Sequence, residues 1–222
     1  MNRSSPGGIL NRLIGSGLRF FFYLIYKPFA WTYDWVAFIV SVGKWQGWIL
    51  SVLPELNGPR ILELGHGPGH LQKAALEKGY WTCGLDESKQ MGRIAFSRLR
   101  DSDLKPNLVN ARAQYLPFAN SSYSHIVATF PTEYLMDERT LAEVWRVLCP
   151  GGKLVVMPVA WLTGHRVLER AAAWLFRITG QAPEWDDQVL EPAAKTGFQI
   201  EVERKGLASS EVLIIKAYKI EV

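Results

Sequence analysis

From Arg60 onward, short apolar runs alternate with stretches in which apolar residues return every three or four positions. The runs predict strands at Arg60–Leu64, Trp81–Leu85, Leu108–Ala111, His125–Phe130, Leu154–Pro158, Gln199–Arg204 and Val212–Tyr218. The helical spacing predicts helices at His70–Lys78, Lys89–Arg100, Glu138–Leu148, Arg166–Ile178 and Gln188–Thr196. Strand and crossover helix in alternation imply an α/β fold, a doubly wound, seven-stranded, mostly parallel sheet with its ligand outside the carboxyl ends of the strands.

Before Arg60 the pattern differs. Leu10, Leu13, Ile14, Leu18, Phe21, Phe22 and Ile25 repeat at three- and four-residue intervals, with Arg12 and Arg19 along another face. This predicts an amphipathic helix weakened by Gly15 and Gly17, followed by turn and linker material at Gly43–Trp48 and Pro54–Pro59. The runs Phe20–Tyr26 and Trp35–Val42 fall short of the roughly 20 apolar residues a membrane span needs. The chain is thus expected to divide into a helical cap, residues 1–58, and a ligand-binding domain, residues 59–222.

Charge sharpens that division. Of 25 basic and 21 acidic side chains, residues 1–60 hold six basic groups against two acids, together with 12 of the 27 aromatics. A basic, aromatic helix suits the headgroup region of an anionic membrane surface, reached here through residues 9–48. Packing over the body's core explains the same pattern. Cys83 and Cys149 have neither CxxC nor His-rich spacing around them, which disfavours a disulfide framework and a structural zinc and fits a reducing, cytoplasmic setting.

The chemistry-bearing segment is Ile61-Leu62-Glu63-Leu64-Gly65-His66-Gly67-Pro68-Gly69-His70. A strand ending in an acid runs into alternating glycines and then a helix, so the backbone can bend sharply and approach a ligand. His70 stands where a dinucleotide fingerprint needs glycine, and no GxxxxGK[ST] phosphate loop occurs. Asp86, at the next strand's tip, can accept from both hydroxyls of a vicinal diol. Ser88 is the better cap for the following helix, which leaves Asp86 free for a ligand. Glu63 among glycines wants a cationic partner or donors.

With these residues the chain resembles the class I S-adenosylmethionine-dependent methyltransferases, and within them the type 11 group that includes the ubiquinone and menaquinone C-methyltransferases. Cys83–Met91 resembles the family's second-strand motif, Leu116-Pro117-Phe118 its LPF signature, and Thr140–Val156, with Glu143, Arg146 and Pro150-Gly151-Gly152, its helix, PGG turn and fifth strand. The resemblance implies a donor site for S-adenosyl-L-methionine formed by Tyr33, Glu63, Gly65, His66, Gly67, Gly69, Asp86, Glu87, Met91, Ala113, Gln114 and Phe130. The acid of the family's GDA is replaced here by Arg112, a cation that cannot accept from an adenine amino group. Adenine recognition then falls to the backbone of Ala113 and Gln114, with Arg112 stacking or facing solvent.

On the acceptor side, Phe130-Pro131-Thr132-Glu133-Tyr134 closes the fourth strand, and Glu133, Tyr134 and His165 are the candidates for substrate contact or proton removal. A capping role before Glu138–Leu148 is the alternative for Glu133. His125 begins a strand and is expected to be structural. Metal-ligand spacing is absent, as is a base-flipping motif after the fourth strand, which argues against a metal-assisted reaction and a nucleic-acid partner. The expected activity is methyl transfer to a small apolar or amphipathic acceptor, quinone-like or lipid-like, at the inner face of the membrane. A soluble methyltransferase of a polar metabolite and a non-catalytic donor-binding module are the alternatives. Oligomeric state is not legible in the sequence.

Overall fold

The computed structural model describes Ser41, residues 43–164 and residues 190–220. The predicted N-terminal helix, Tyr33, His165 and the predicted helix Arg166–Ile178 lie outside the described residues. The chain forms two compact units: Gln46–Val159, Asp186–Lys205 and Val212–Val222 make up the larger, and Met1–Trp45, Ala160–Trp185 and Gly206–Glu211 the smaller.

The larger unit is built on β1 (Ile61–Leu64), β2 (Thr82–Asp86), β3 (Leu108–Asn110), β4 (Tyr123–Thr129) and β5 (Leu148–Met157). Pairing is parallel between β1 and β2, β2 and β3, β1 and β4, and β4 and β5. Beyond β5, β8 (Ser210–Tyr218) runs antiparallel to it and carries β7 (Gln199–Leu207) at its side. In the smaller unit, β6 (Ala160–Leu162) accompanies the first residues of β8, and Thr163 N–H donates to Ser209 O at 3.1 Å. The sheet therefore has eight strands rather than seven. The addition, β6, is three residues long, too short to set up a readable alternation.

The helices are α1 (Trp45–Leu50), α2 (His70–Glu77), α3 (Lys89–Arg100), α4 (Glu138–Val147) and α5 (Glu191–Lys195). In α3, Met91, Ala95 and Leu99 stand four residues apart and are all buried, Ser88 caps the start by accepting from Met91 N–H, and Arg98 and Arg100 occupy the last turn, where cations suit the helix dipole. In α4, Asp137 is the cap and Thr140, Leu141, Val144 and Val147 form the buried face. The sequence predicts turn material at Gly43–Trp48, but Trp45–Leu50 is helical, with Trp48 and Ile49 buried. β1, buried along its whole length, lies between β2 and β4 and brings the glycine segment to the carboxyl edge. Among the described residues no helix is long and apolar enough to cross a membrane.

Candidate functional site

The segment after β1 is bent by Gly65, Gly67 and Gly69, all in the left-handed region at φ 70°, 51° and 84°. Each glycine answers a different need. A Cβ on Gly65 would stand 2.8 Å from the Tyr134 hydroxyl, and one on Gly69 would stand 2.8 Å from the Ala95 Cβ, where α3 packs closely. Among the described residues, a Cβ on Gly67 would meet nothing within 4 Å. The bend therefore packs against the protein at both ends and is open at its middle. Leu85 O fixes its start by accepting from Gly65 N–H at 2.7 Å and His66 N–H at 3.3 Å.

Asp86 closes β2 beside that bend. Its Oδ2 accepts from Gly67 N–H at 2.9 Å and its Oδ1 from Ser88 N–H at 2.8 Å. Ser88 caps α3 as expected, but Asp86 is not free: each oxygen already holds one backbone donor. A carboxylate offers about four lone-pair directions, so each oxygen keeps a second one for a ligand. Asp86 and His66 line a cavity of ≈ 560 Å³ that continues between α3 and β3, past Lys89, Arg93, Phe96 and Leu108.

Glu63 is 2 % exposed and accepts from Gln72 Nε2 at 2.8 Å, while Gln72 Oε1 accepts from Thr82 Oγ1 at 3.1 Å. Burial pushes the Glu63 carboxyl up to about 8, against the lowering pull of the Gln72 bond, with Asp86 adding to the rise. At neutral pH it is mostly protonated beneath the bend. Gln72 and Thr82 went unremarked in the sequence; the available signal was a glutamine on the apolar side of α2, next to Leu71 and in register with Ala75. His66 is buried, and its Nδ1 lies 2.7 Å from Gly67 O, which makes that nitrogen the protonated one. Burial pulls its pKa below the ordinary imidazole value. His66 is thus a neutral brace of the bend.

Tyr134 completes the cluster. Its hydroxyl donates to Leu64 O at 3.2 Å, and burial together with Asp86 and Glu63 raises its pKa. The fold brings Glu63, Gly65, His66, Gly67, Asp86 and Tyr134 together. Glu87 and Arg112 face each other on the exposed rim at 3.6 Å, so Arg112 has a carboxylate for a neighbour. The Met91 side chain is buried in α3, and Ala113 is buried, while Gln114 Nε2 reaches Asp137 Oδ2 at 3.3 Å. Phe130 packs its ring 6.2 Å from that of Trp48. Glu133 is exposed in the 3₁₀ turn Glu133–Met136, and the cap of α4 is Asp137 rather than Glu133. His125, half-buried, has its Nδ1 buried without a hydrogen-bond partner among the described residues, and burial and Lys153 lower its pKa to about 4.

The LPF segment is held from α4. Arg146 pairs with Glu143 through Nε and Nη2, at 2.7 and 2.8 Å, and donates to Leu116 O, Phe118 O and Asn120 Oδ1. Glu143 in turn accepts from Leu116 N–H at 2.8 Å. These two side chains fix the loop that leads from β3 to β4.

Residues 61–152 match the family model described as a methyltransferase domain. The chain is similar to the demethylmenaquinone methyltransferase of Thermotoga maritima, 30% identical over 60% of this chain and 59% of that protein. It is also similar to the ubiquinone/menaquinone biosynthesis C-methyltransferase of Blochmanniella floridana, 27% identical over 60% of this chain and 56% of that one. The chain thus spans somewhat over half the length of these curated relatives. Among solved structures it resembles phosphoethanolamine N-methyltransferase 2 of Haemonchus contortus, in complex with phosphomonomethylethanolamine and S-adenosylhomocysteine, with a TM-score of 0.62, 20% identity and coverage of 90% of this chain and 59% of that one. An S-adenosylmethionine-dependent methyltransferase of Methanosarcina mazei gives a TM-score of 0.55 at 21% identity, over 76% and 97% of the two chains. Residues 61–152 thus match a methyltransferase domain in sequence, and the fold is that of solved S-adenosylmethionine-dependent methyltransferases.

Proposed function

We propose that this protein is an S-adenosylmethionine-dependent methyltransferase whose acceptor is a small apolar or amphipathic molecule, quinone-like or lipid-like. The observation that carries the reading is the bend that is open at Gly67 and flanked by a carboxylate whose oxygens each keep a free lone-pair direction. The residues present fit the donor: Asp86 suits the two ribose hydroxyls, the open backbone at Gly67 suits close approach, and Glu63 is a buried carboxyl that an ammonium group stabilises in its charged form. The donor, when bound, supplies an electrophilic methyl on a positively charged sulfur. The protein's part is to orient the reactants and keep water out.

Gly65, His66 and Gly69 shape the bend, and Glu87, Met91, Ala113, Gln114, Phe130 and Tyr33 stand as the remaining donor-side residues of the proposal. Glu133 and His165 are the acceptor-side candidates. Residues 1–58 are proposed as the cap over a greasy acceptor and as the contact with an anionic membrane surface, a placement supported by their basic and aromatic composition. The curated relatives named for quinone biosynthesis support the acceptor class.

Calorimetric titration with S-adenosylhomocysteine is expected to show saturable one-to-one binding, and no heat at millimolar ligand overturns the donor reading. Transfer of labelled methyl from the donor is expected with a demethylated quinone. Label that enters phosphoethanolamine and no quinone overturns the acceptor class. Sedimentation with anionic vesicles is expected to carry the full chain down and to leave a variant lacking residues 1–28 in solution; a full chain that stays in solution removes the membrane contact.

A further inference from the structure

The loop after β4 opens on Phe130, a bulky residue directly before Pro131; Phe130 has φ 48°, and its N–H donates to Met157 O at 2.7 Å. Such a conformation is costly outside glycine and persists where surrounding structure imposes it. The loop then makes its 3₁₀ turn, and from that turn Tyr134 reaches back 70 residues to the end of β1. The start of the bend is consequently held from two sides. Leu85 O takes its N–H groups, and the Tyr134 hydroxyl takes the Leu64 carbonyl that immediately precedes it. The same hydroxyl lies so close to Gly65 that a Cβ there would stand 2.8 Å from it, whereas that Cβ would stand at the ordinary distance of 3.7 Å from the ring atom Cζ.

These contacts decide what the phenol can do. Its proton is committed to a backbone carbonyl, and burial beside Asp86 and Glu63 raises its pKa, which disfavours the phenolate that a general base would have to be. An effective general base has a pKa near the working pH. We propose that Tyr134 is a positioning residue: through its hydroxyl it sets the height of the glycine bend and thereby the affinity for the methyl donor, and it takes no proton from the acceptor. This rests on the donor reading given under Proposed function.

The test is a double-mutant cycle on Tyr134→Phe and Gly65→Ala, with S-adenosylhomocysteine as the probe in calorimetry and thermal melts recorded alongside. Tyr134→Phe keeps the ring and removes one neutral hydrogen bond, so its affinity is expected to fall roughly three- to tenfold with a melting temperature near that of the wild type. Gly65→Ala sets its Cβ against the hydroxyl in the wild-type background and only against ring carbons at ordinary distance in the Tyr134→Phe background, while the cost of its positive φ is common to both. The double variant is therefore expected to bind better than the product of the two single losses, by about threefold or more. Should Gly65→Ala fail to fold, the Tyr134→Phe affinity decides alone.

Equal binding by wild type and Tyr134→Phe overturns the positioning role and leaves the donor reading standing. A wild type that does not bind the probe removes the donor reading and this role with it. A Tyr134→Phe variant of unchanged affinity that loses a limb of its pH–rate profile assigns Tyr134 to proton transfer instead.

Discussion

Glu63 is held protonated by its burial, and that has a measurable cost. Unfolded, the carboxyl ionises near its ordinary value of 4.5; folded and without ligand, it does so near 8. The folded state therefore binds the extra proton between those two values, and stability falls as pH rises through that window, by about 3 kcal/mol at pH 7. Glu63→Gln keeps an acceptor for Gln72 and has no proton to lose, so its melting temperature should match the wild type at pH 4.5 and exceed it increasingly up to pH 8; a constant difference contradicts the assignment. The glycines separate in a similar way. Gly69→Ala drives a Cβ into Ala95 at positive φ and should cost about 3 kcal/mol of stability. Gly67→Ala should cost about 1 kcal/mol, yet weaken S-adenosylhomocysteine binding more, because its Cβ enters the open side of the bend. Equal affinities for the two variants would refute that difference. The alternating glycines and the two acids were legible in the sequence because they lie in two short segments. The engagement of both Asp86 oxygens, the Glu63–Gln72–Thr82 chain and the reach of Tyr134 to Leu64 were not, since each joins residues that only the folded sheet brings together.

Elements follow local signals where the signals are complete. Ser88, the four-residue spacing of Met91, Ala95 and Leu99, and the terminal arginines define α3 at the bounds read from the sequence, Lys89–Arg100. The apolar run predicts β5 from Leu154, yet the strand begins at Leu148, because Pro150-Gly151-Gly152 is an irregularity within it. The partners shift from Tyr123↔Leu148 to His125↔Lys153, and a Cβ on Gly152 would stand 2.8 Å from Cys149 O and 2.9 Å from Ser124 O. A Pro-Gly-Gly triplet reads locally as a turn, and only its neighbours β4 and β8 keep it in the sheet. α4 serves the site at a distance through Arg146. Arg146→Lys retains the charge but not the planar fork that serves Glu143 and two carbonyls, so hydrogen exchange at the Leu116 amide should accelerate about tenfold or more, for a loss of about 1.5 kcal/mol in the segment. Unchanged protection would show that the loop is fixed by other contacts.

At the scale of the molecule, the strand order β3-β2-β1-β4-β5 places the bend after β1 and the tip of β2 side by side at one sheet end, and this much of the arrangement follows from an alternating α/β pattern. The composition of the first 60 residues pointed to a separate head, and its vesicle test stands on that composition alone. The two margins of the sheet are finished differently. β3 pairs with β2 alone among the described strands and is three residues long, while β7, paired with β8, exposes the charged residues Glu201 and Arg204. An unpaired margin is where a second chain could extend the ladder, and brevity on one side and charge on the other are two ways to forbid it. Concentrated solutions of this protein should accordingly resist conversion into stacked fibrils.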